Sequence, residues 1–176
     1  MVIDDLHKTL QTWVDALKDY DNRSLLIKPA IDSWSIGQVY MHLIDETIFF
    51  LSQARTCLST NRNADETASP GGLQMLSNNS FPDELIDGPS SNQFLQQPTS
   101  REQILTGLEQ IRVHIDGVQL LLKQSTFRGK SKHPGLQYLD AHQWCQFAEM
   151  HLRHHFKQKQ RIDEYLRDSS LKSFLN

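Results

Sequence analysis

The chain has 176 residues, of which 22% are charged and 38% are hydrophobic, and its formal net charge at pH 7 is −3. This length and composition suit one globular domain over residues 1–176 that buries a core without disulfides, and they argue against a disordered protein. The lysines and arginines are scattered along the chain. We therefore expect no nucleic-acid binding, because nucleic-acid-binding proteins concentrate positive charge on one face.

The two cysteines, Cys57 and Cys145, lie far apart at apolar positions of predicted helices. Their spacing matches neither a zinc finger nor a redox pair, so we expect two reduced, buried thiols and a cytoplasmic location. The acidic N-terminus lacks the features of a signal peptide, and no apolar run is long enough to cross a membrane. The sequence therefore predicts no membrane partner.

Apolar residues recur at three- and four-residue steps from Leu6 to Tyr20, which is the pattern of an amphipathic helix. This first helix is predicted to end near Asp21. Residues 25–29 are predicted to form an extended connector, because the residue before Pro29 avoids helical geometry.

The second helix is predicted to begin at a capping box, with Ser35 as the N-cap and Gln38 reaching back to it, and to run to about Ser59. Residues 60–98 differ in composition from the helices, because Asn, Ser, Gly, Pro and Asp dominate. Apolar residues are few there and show no helical or strand period. A loop of this length needs a structural reason. It is either the long crossover of a helical bundle, the simpler interpretation, or a lid over a site.

Residues 99–102 have the spacing of a second capping box, formed by Thr99 and Glu102, and the helix behind them is predicted to end around Gln124. Residues 140–143 cap a fourth helix that is predicted to run to about Arg167.

Four long amphipathic helices with one extended connection predict an all-α four-helix bundle. The short first link implies that helices one and two are antiparallel neighbours, and the long second link permits a crossover.

Three histidines fall within five positions of the fourth helix. At about 100° per residue, His151 and His155 lie within about 20° of the line through Trp144, at the centre of the apolar stripe, whereas His154 lies about 80° away. Buried imidazoles need partners for their ring nitrogens. A divalent metal satisfies one nitrogen of each ring in an i, i+4 pair, so the pair favours a metal site over packing.

His42 in the second helix is the predicted third ligand, although its position about 60° from Val39 also fits an ordinary boundary histidine. Three histidines with open coordination positions are typical of catalytic zinc-type centres. Glu46, one turn further on, is a candidate for orienting a ligand or acting as a base, and a solvated helix residue is an equally good explanation. Asp45 is better explained as solvated. His133 could reach the mouth of the site, and we expect it to have a role in its turn or in supporting a ligand before any role as a ligand itself.

Three segments carry a family resemblance. Residues 34–45 are WSIGQVYMHLID, residues 143–158 contain QW, HLRHH and a final Gln158, and His133-Pro134 lies before the last helix. These segments resemble the DinB-like (DinB/YfiT) superfamily of proposed metalloenzymes, and more narrowly a branch of uncharacterised function. The resemblance covers essentially the whole chain. One departure is the Gly135-Leu136 pair, where relatives tend to have an aromatic residue and a glycine, so the loop near the site is expected to differ.

The resemblance implies a bundle in up-down-down-up order and a metal site made of His42, His151 and His155. It also implies a divalent ion such as nickel or zinc, frequent homodimers and, in some members, transferase or isomerase activity that uses a low-molecular-weight thiol. We therefore expect a metal-dependent enzyme acting on a small-molecule substrate, with thiol-dependent S-transfer slightly favoured over hydrolysis. The alternative is a non-catalytic, stress-related binding protein whose metal is structural or absent.

Overall fold

Helices dominate the part of the chain that the computed structural model describes, residues 2–82 and 95–174, with side chains described as far as residue 169. The all-α prediction is therefore right in its broad sense, and the structure adds one small hairpin. The elements are α1 (Val2–Ala16), α2 (Ile36–Cys57), α3 (Pro70–Asn78), α4 (Arg101–Gln124), β1 (Ser131–His133), β2 (Gln137–Leu139), α5 (Ala141–His154) and α6 (Phe156–Phe174), with 3₁₀ turns at Leu17–Asp19 and Ser24–Leu26.

The predicted capping box at Ser35 and the predicted cap at residues 140–143 are both present, and the second is also a capping box. At the start of α2 the Ser35 hydroxyl accepts from the Gln38 amide at 3.1 Å, and the Gln38 side chain accepts from the Ser35 amide at 3.2 Å. Asp140 and Gln143 make the same reciprocal pair at the start of α5. Each box satisfies backbone donors that the first helical turn leaves unpaired.

The capping box predicted for Thr99 and Glu102 is wrong by one residue. The N-cap of α4 is Ser100, whose hydroxyl accepts from the Gln103 amide at 3.2 Å. The Thr99 amide instead donates to the Gln103 side chain at 2.7 Å. The sequence offers the same spacing in two overlapping registers, and the structure uses the later one. The end of α4 at Gln124 is as predicted.

The segment predicted as a loop, residues 60–98, contains the nine-residue helix α3. Ser69 caps this helix by accepting from the Gly72 amide, and Pro70 occupies the first turn, where a missing N–H costs nothing. The helix ends at Asn79, which adopts the left-handed conformation with φ 49°. The helix contains few apolar residues, and a run of nine residues is too short to show a helical period in the sequence. Residues 83–94 lie outside the described residues, so the predicted crossover or lid stays a prediction.

Two other boundaries differ from the predictions. The 3₁₀ turn Ser24–Leu26 occupies part of the connector that was predicted to be extended. The fourth predicted helix is interrupted at His155, which divides it into α5 and α6. At this point the indole N–H of Trp13 donates to the Leu152 carbonyl at 3.1 Å. A side chain inserted into the helical ladder is a recognised cause of such breaks.

The core lies between α1, α2, α4 and α5. Helix α1 packs against α4 and α5, and α2 packs against the same two helices. Within the described residues α1 and α2 are not among the principal packing pairs, so the prediction that they are direct neighbours is wrong. They meet across the core instead, where the Tyr40 hydroxyl donates to the Trp13 carbonyl at 2.9 Å. The largest fully buried side chains include Leu6, Leu10, Trp13, Tyr40, Leu43, Leu51, Ile104, Leu108 and Trp144.

The hairpin of β1 and β2 closes against the end of α2. Its register pairs Ser131 with Leu139, and the sulfur of Cys57 lies 3.5 Å from both the Ser131 hydroxyl and the Leu139 carbonyl. Cys57 and Cys145 are both buried and free, as predicted. Among the described residues, no helix has the length and apolar character needed to cross a membrane.

Candidate metal centre

Helix α2 delivers His42 to the interface with α5. The imidazole is 6% exposed, so it lies deeper than the boundary position that its helical angle suggested. Trp34, just before the helix, packs on this ring with centroids 5.0 Å apart. The N-cap at Ser35 marks the start of the helix, and His42 lies on its buried face with Val39 and Leu43.

The other two histidines come from the end of α5. His151 lies in its last turn, and His155 occupies the break that follows. The Nε2 atom of His151 is 3.1 Å from Nε2 of His42 and 3.3 Å from Nε2 of His155. One nitrogen from each of the three rings lies within 4.8 Å of the others. The three residues predicted as ligands are thus brought together.

The spacing of these nitrogens suits a single ion. For a metal–nitrogen bond of about 2.0–2.1 Å, separations of 3.1 and 3.3 Å correspond to nitrogen–metal–nitrogen angles of about 95–110°. These angles lie between octahedral and tetrahedral values. The two separations are therefore compatible with one divalent ion bound between the rings.

Hydrogen bonds between the three histidines cannot satisfy all of their ring nitrogens. The Nε2 atom of His151 contacts both neighbouring rings, but a neutral ring nitrogen has either one hydrogen or one lone pair. The Nδ1 atom of His151 is buried and has no hydrogen-bond partner among the described residues. Either tautomer therefore leaves part of this ring unsatisfied. A cation, by contrast, takes one nitrogen lone pair from each ring it binds and needs no ring hydrogen between the nitrogens.

Burial keeps the three imidazoles neutral. Desolvation, followed by the neighbouring His155, lowers the pKa of His42 to about 3. Desolvation lowers the pKa of His155 to about 4, against the opposing effect of its bond to Gln158. Desolvation, with the adjacent histidines, also holds the pKa of His151 well below its ordinary value. Metal binding needs the neutral form, which all three residues adopt near pH 7.

His154 lies outside the group, as its helical angle predicted. Its side chain is exposed, and its ring packs against Phe81 at 5.2 Å and against His155 at 5.4 Å. In the part of the chain that the structure describes, no carboxylate or thiol joins the three-histidine group.

Glu46 is half-buried one turn beyond His42 on α2. Burial, and then the neighbouring Asp45, raise the pKa of Glu46. Asp45 is exposed, in line with a solvated helix residue. The catalytic role of Glu46 stays a prediction, since Glu46 is not among the residues that form the three-histidine group.

Aromatic rings surround the cluster. Phe50 lies 5.4 Å from the ring of His151, and Phe81 lies 6.4 Å from the same ring. Together with Trp34 they lower the local polarity, which accounts for the depressed histidine pKa values. Sequence reasoning missed Phe81, because it follows α3 in a segment where apolar residues show no periodicity.

His133 has the turn role that we predicted for it. Its Nδ1 atom accepts hydrogen bonds from the amides of Gly135 and Leu136 at 3.1 and 3.2 Å. Its ring packs on Trp144 and Phe147, with centroids 5.3 and 4.7 Å apart. His133 thus shapes the hairpin beside the centre.

Gln158 is a second residue that sequence reasoning did not assign to the site. Its side-chain oxygen lies 2.8 Å from Nδ1 of His155, on the side of the ring away from the cluster. Its position three residues after His155, on the next helical turn, is the local signal that pointed to this contact.

Comparison with known proteins identifies a family and a relative of the chain. A family model described as the DinB superfamily matches residues 5–158, a span that includes all three clustered histidines. The protein described as uncharacterized protein YuaE of Bacillus subtilis (strain 168) is 26% identical over 157 residues, which cover 88% of this chain and 92% of that protein. No solved structure gives a significant match. The chain belongs to the DinB superfamily.

Proposed function

We propose that this protein is a metal-dependent enzyme in which His42, His151 and His155 hold one divalent cation. The observation that supports this most directly is the convergence of three neutral Nε2 atoms, 3.1 and 3.3 Å apart along the cluster. Neighbouring imidazoles at a core face are hard to explain by packing, especially since one ring nitrogen has no hydrogen-bond partner among the described residues.

The donor set favours zinc or nickel. Imidazole suits both ions, whereas calcium and magnesium prefer oxygen ligands. Three neutral donors leave the charge of the ion uncompensated, and within the described residues no carboxylate or thiol completes the coordination. When bound, such an ion acts as a Lewis acid that makes a thiol or a water molecule nucleophilic near neutral pH.

For the reaction, we propose thiol-dependent S-transfer to a small electrophile. A free thiol has a pKa of about 8.5, far below that of water, so its activation needs less help from a protein base. This suits a centre in which, among the described residues, no carboxylate belongs to the ligand group. The thiol sulfur forms a bond to an electrophilic carbon, the leaving group departs with its electron pair, and Glu46 is the proposed acceptor of the thiol proton. Trp34 and Phe81 would limit the access of competing water.

Hydrolysis is the second candidate. The observation that favours it is the raised pKa of Glu46, since a carboxyl group of this kind suits a general base toward water. A non-catalytic binding protein with a structural ion is the third. It would require a fourth protein ligand, because structural sites fill their coordination sphere.

Metal content tests the proposal. The parent protein and the variants His42→Ala, His151→Ala and His155→Ala are incubated with Zn²⁺ or Ni²⁺, desalted and examined by elemental analysis. His154→Ala is the matched control, because this exposed histidine lies between two of the proposed ligands. We expect about one ion per chain in the parent and the control, and little in the other three variants. Equal metal in all five proteins would refute the centre.

The reaction is tested with the loaded protein. Small thiols are mixed with a panel of electrophiles and the loss of free thiol is followed, in parallel with hydrolysis of esters and amides. Thiol loss that depends on both the ion and His151 would support S-transfer. Product formation that depends on the ion but not on added thiol would favour the hydrolase, and inactivity in both assays with full metal content would favour a binding protein.

We also infer that α1, α2, α4 and the α5–α6 pair form a four-helix bundle in up-down-down-up order. The order of side-chain contacts along each helix pair supports this topology. The contacts are Thr9–Glu149 and Trp13–Leu152 for α1 with α5, His42–His151 and Phe50–Phe147 for α2 with α5, and Ile44–Gly107 and Arg55–Gly117 for α2 with α4.

A homodimer is a further proposal. Leu105, Val113 and Leu120 are exposed along α4, with Val113 at 62% exposure. Apolar side chains along one exposed helix often mark a protein contact. Light scattering at several protein concentrations would measure the mass of the assembly, and a single-chain mass throughout would refute the dimer.

A further inference from the structure

The third histidine lies at an irregular point of the backbone. Helix α5 ends at His154 and α6 begins at Phe156, so His155 belongs to neither helix. In an unbroken helix the Phe156 amide would donate to the Leu152 carbonyl. Here that carbonyl accepts the indole N–H of Trp13 at 3.1 Å.

Trp13 also holds the first residue after the break. Its ring stacks on Phe156 with centroids 4.9 Å apart and an angle of 11° between the planes. Trp13 is fully buried, so the break is anchored to the core and does not depend on a surface loop. The backbone at His155 is thereby held from α1.

Gln158 contacts the same histidine from the first turn of α6. Its Oε1 atom lies 2.8 Å from Nδ1 of His155. A carboxamide oxygen only accepts hydrogen bonds, so Nδ1 must carry the hydrogen and the lone pair must be on Nε2. Nε2 is the atom that faces Nε2 of His151. By contrast, Nδ1 of His151 has no hydrogen-bond partner within the described residues.

We propose that Gln158 is a positioning residue of the metal centre, which fixes His155 in the Nδ1–H tautomer and orients its ring toward His42 and His151. The break anchored by Trp13 places the ring within reach of Gln158. The part of this inference that concerns metal affinity rests on the proposed function. The part that concerns the tautomer does not, because it applies to the metal-free protein.

The chemical type of this partner also matters. A carboxylate in the same position would strengthen imidazole as a donor and would compensate part of the charge of the ion. The neutral carboxamide orients the ring without adding negative charge. The Gln158→Glu protein is therefore expected to bind the ion at least as tightly as the parent does. The Gln158→Leu protein, with an apolar residue of similar size, is expected to bind it less tightly.

The test uses Gln158→Leu and Gln158→Glu, with Gln160→Leu as the matched control. Gln160 lies on the same helix, is exposed, and bonds only with Glu164 in the described structure. In the metal-free proteins, long-range nitrogen–proton NMR of the histidine rings reports which nitrogen of His155 carries the hydrogen. Competition with a chromophoric chelator then gives the affinity for Zn²⁺, and circular dichroism verifies that each variant is folded.

We expect the Nδ1–H tautomer of His155 in the parent and the control, and a mixture of tautomers in Gln158→Leu. Zn²⁺ affinity should fall by about 10–100-fold in Gln158→Leu, and should match or exceed the parent in Gln158→Glu. The proposal is overturned if His155 is the Nε2–H tautomer in the parent, or if Gln158→Leu changes neither tautomer nor affinity. If the parent binds no Zn²⁺, the proposed function fails, and the tautomer measurement still decides whether Gln158 fixes the ring.

Discussion

The Nε2 atoms of His42 and His151 lie 3.1 Å apart although 109 residues separate the two histidines in the chain. Packing of α2 directly on α5 brings them together. His155 completes the group from the break that follows α5. The centre thus combines a local pair with a distant partner, and each component can be perturbed separately.

Zn²⁺ or Ni²⁺ is expected to stabilise the folded protein. An ion that binds only the native state at a free concentration 100 times its Kd adds about 2.7 kcal/mol to the free energy of unfolding. For a chain of this size, that corresponds to a rise in Tm of several degrees. Calorimetry of the chelator-treated protein with and without the ion measures it. His154→Ala should respond like the parent and His151→Ala should not, and an equal response in both variants would contradict the site.

Acid is expected to destabilise the metal-free protein. Burial lowers the pKa of His42 to about 3 and that of His155 to about 4, from an ordinary value of 6.5. Between pH 6.5 and pH 4 the unfolded chain therefore binds protons that the folded chain does not, and the free energy of unfolding rises with pH across this window.

Urea unfolding in the presence of chelator at pH 7, 6 and 5 measures this effect. The loss of stability on acidification should be smaller in His155→Gln than in the parent, because the variant lacks one group with a depressed pKa. His154→Gln is the matched control for the substitution itself, because His154 is the exposed histidine next to His155. An identical loss in the parent and His155→Gln would argue that His155 titrates normally in the folded protein.

Replacing Trp13 with Phe is expected to remove the hydrogen bond to the Leu152 carbonyl and to keep an aromatic ring beside Phe156. The Leu152 carbonyl then loses its partner outside the helix, so α5 and α6 should tend toward one continuous helix. We expect Zn²⁺ affinity to fall and the free energy of unfolding to fall by roughly 1–3 kcal/mol, from the lost hydrogen bond and the smaller ring.

Chelator competition and urea unfolding would measure the two effects of Trp13→Phe. Leu10→Val, another buried substitution on α1, is the control for general destabilisation. Equal affinity losses in the two variants at equal stability would show that the break has no specific part in the metal site.

Glu46→Gln is expected to lower the turnover number by roughly 100-fold or more if Glu46 accepts the proton in the reaction, while metal content stays at the parent level. Burial and Asp45 raise the pKa of Glu46, so the acid limb of the parent rate profile should lie above the usual carboxyl range. The variant should lack this limb. Asp45→Asn is expected to keep the turnover number and to move the acid limb to lower pH, because Asp45 is one cause of the raised pKa of Glu46. An unchanged rate in Glu46→Gln would exclude the role.

Local patterns were sufficient for several features of the fold and the site. The capping boxes of α2 and α5 follow from side chains three residues apart, and the helical angle separates His154 from His151 and His155. The family signature around His42 identified the third member of the cluster. These features depend on a few consecutive residues, so they can be inferred without knowledge of packing.

Long-range contacts decided the rest. Two local features were also ambiguous in the sequence. The capping pattern before α4 occurs in two overlapping registers, so it did not reveal that Ser100 is the N-cap, and α3 is too short for its apolar residues to show a helical period. The interruption at His155 depends on Trp13, which lies 139 residues before Leu152 in the chain. Helical periodicity therefore predicts which face carries the histidine pair. The burial of His42, the placement of Phe81 and the orientation of His155 arise only when α1, α2 and α3 pack against α5, because these features depend on side chains from distant segments.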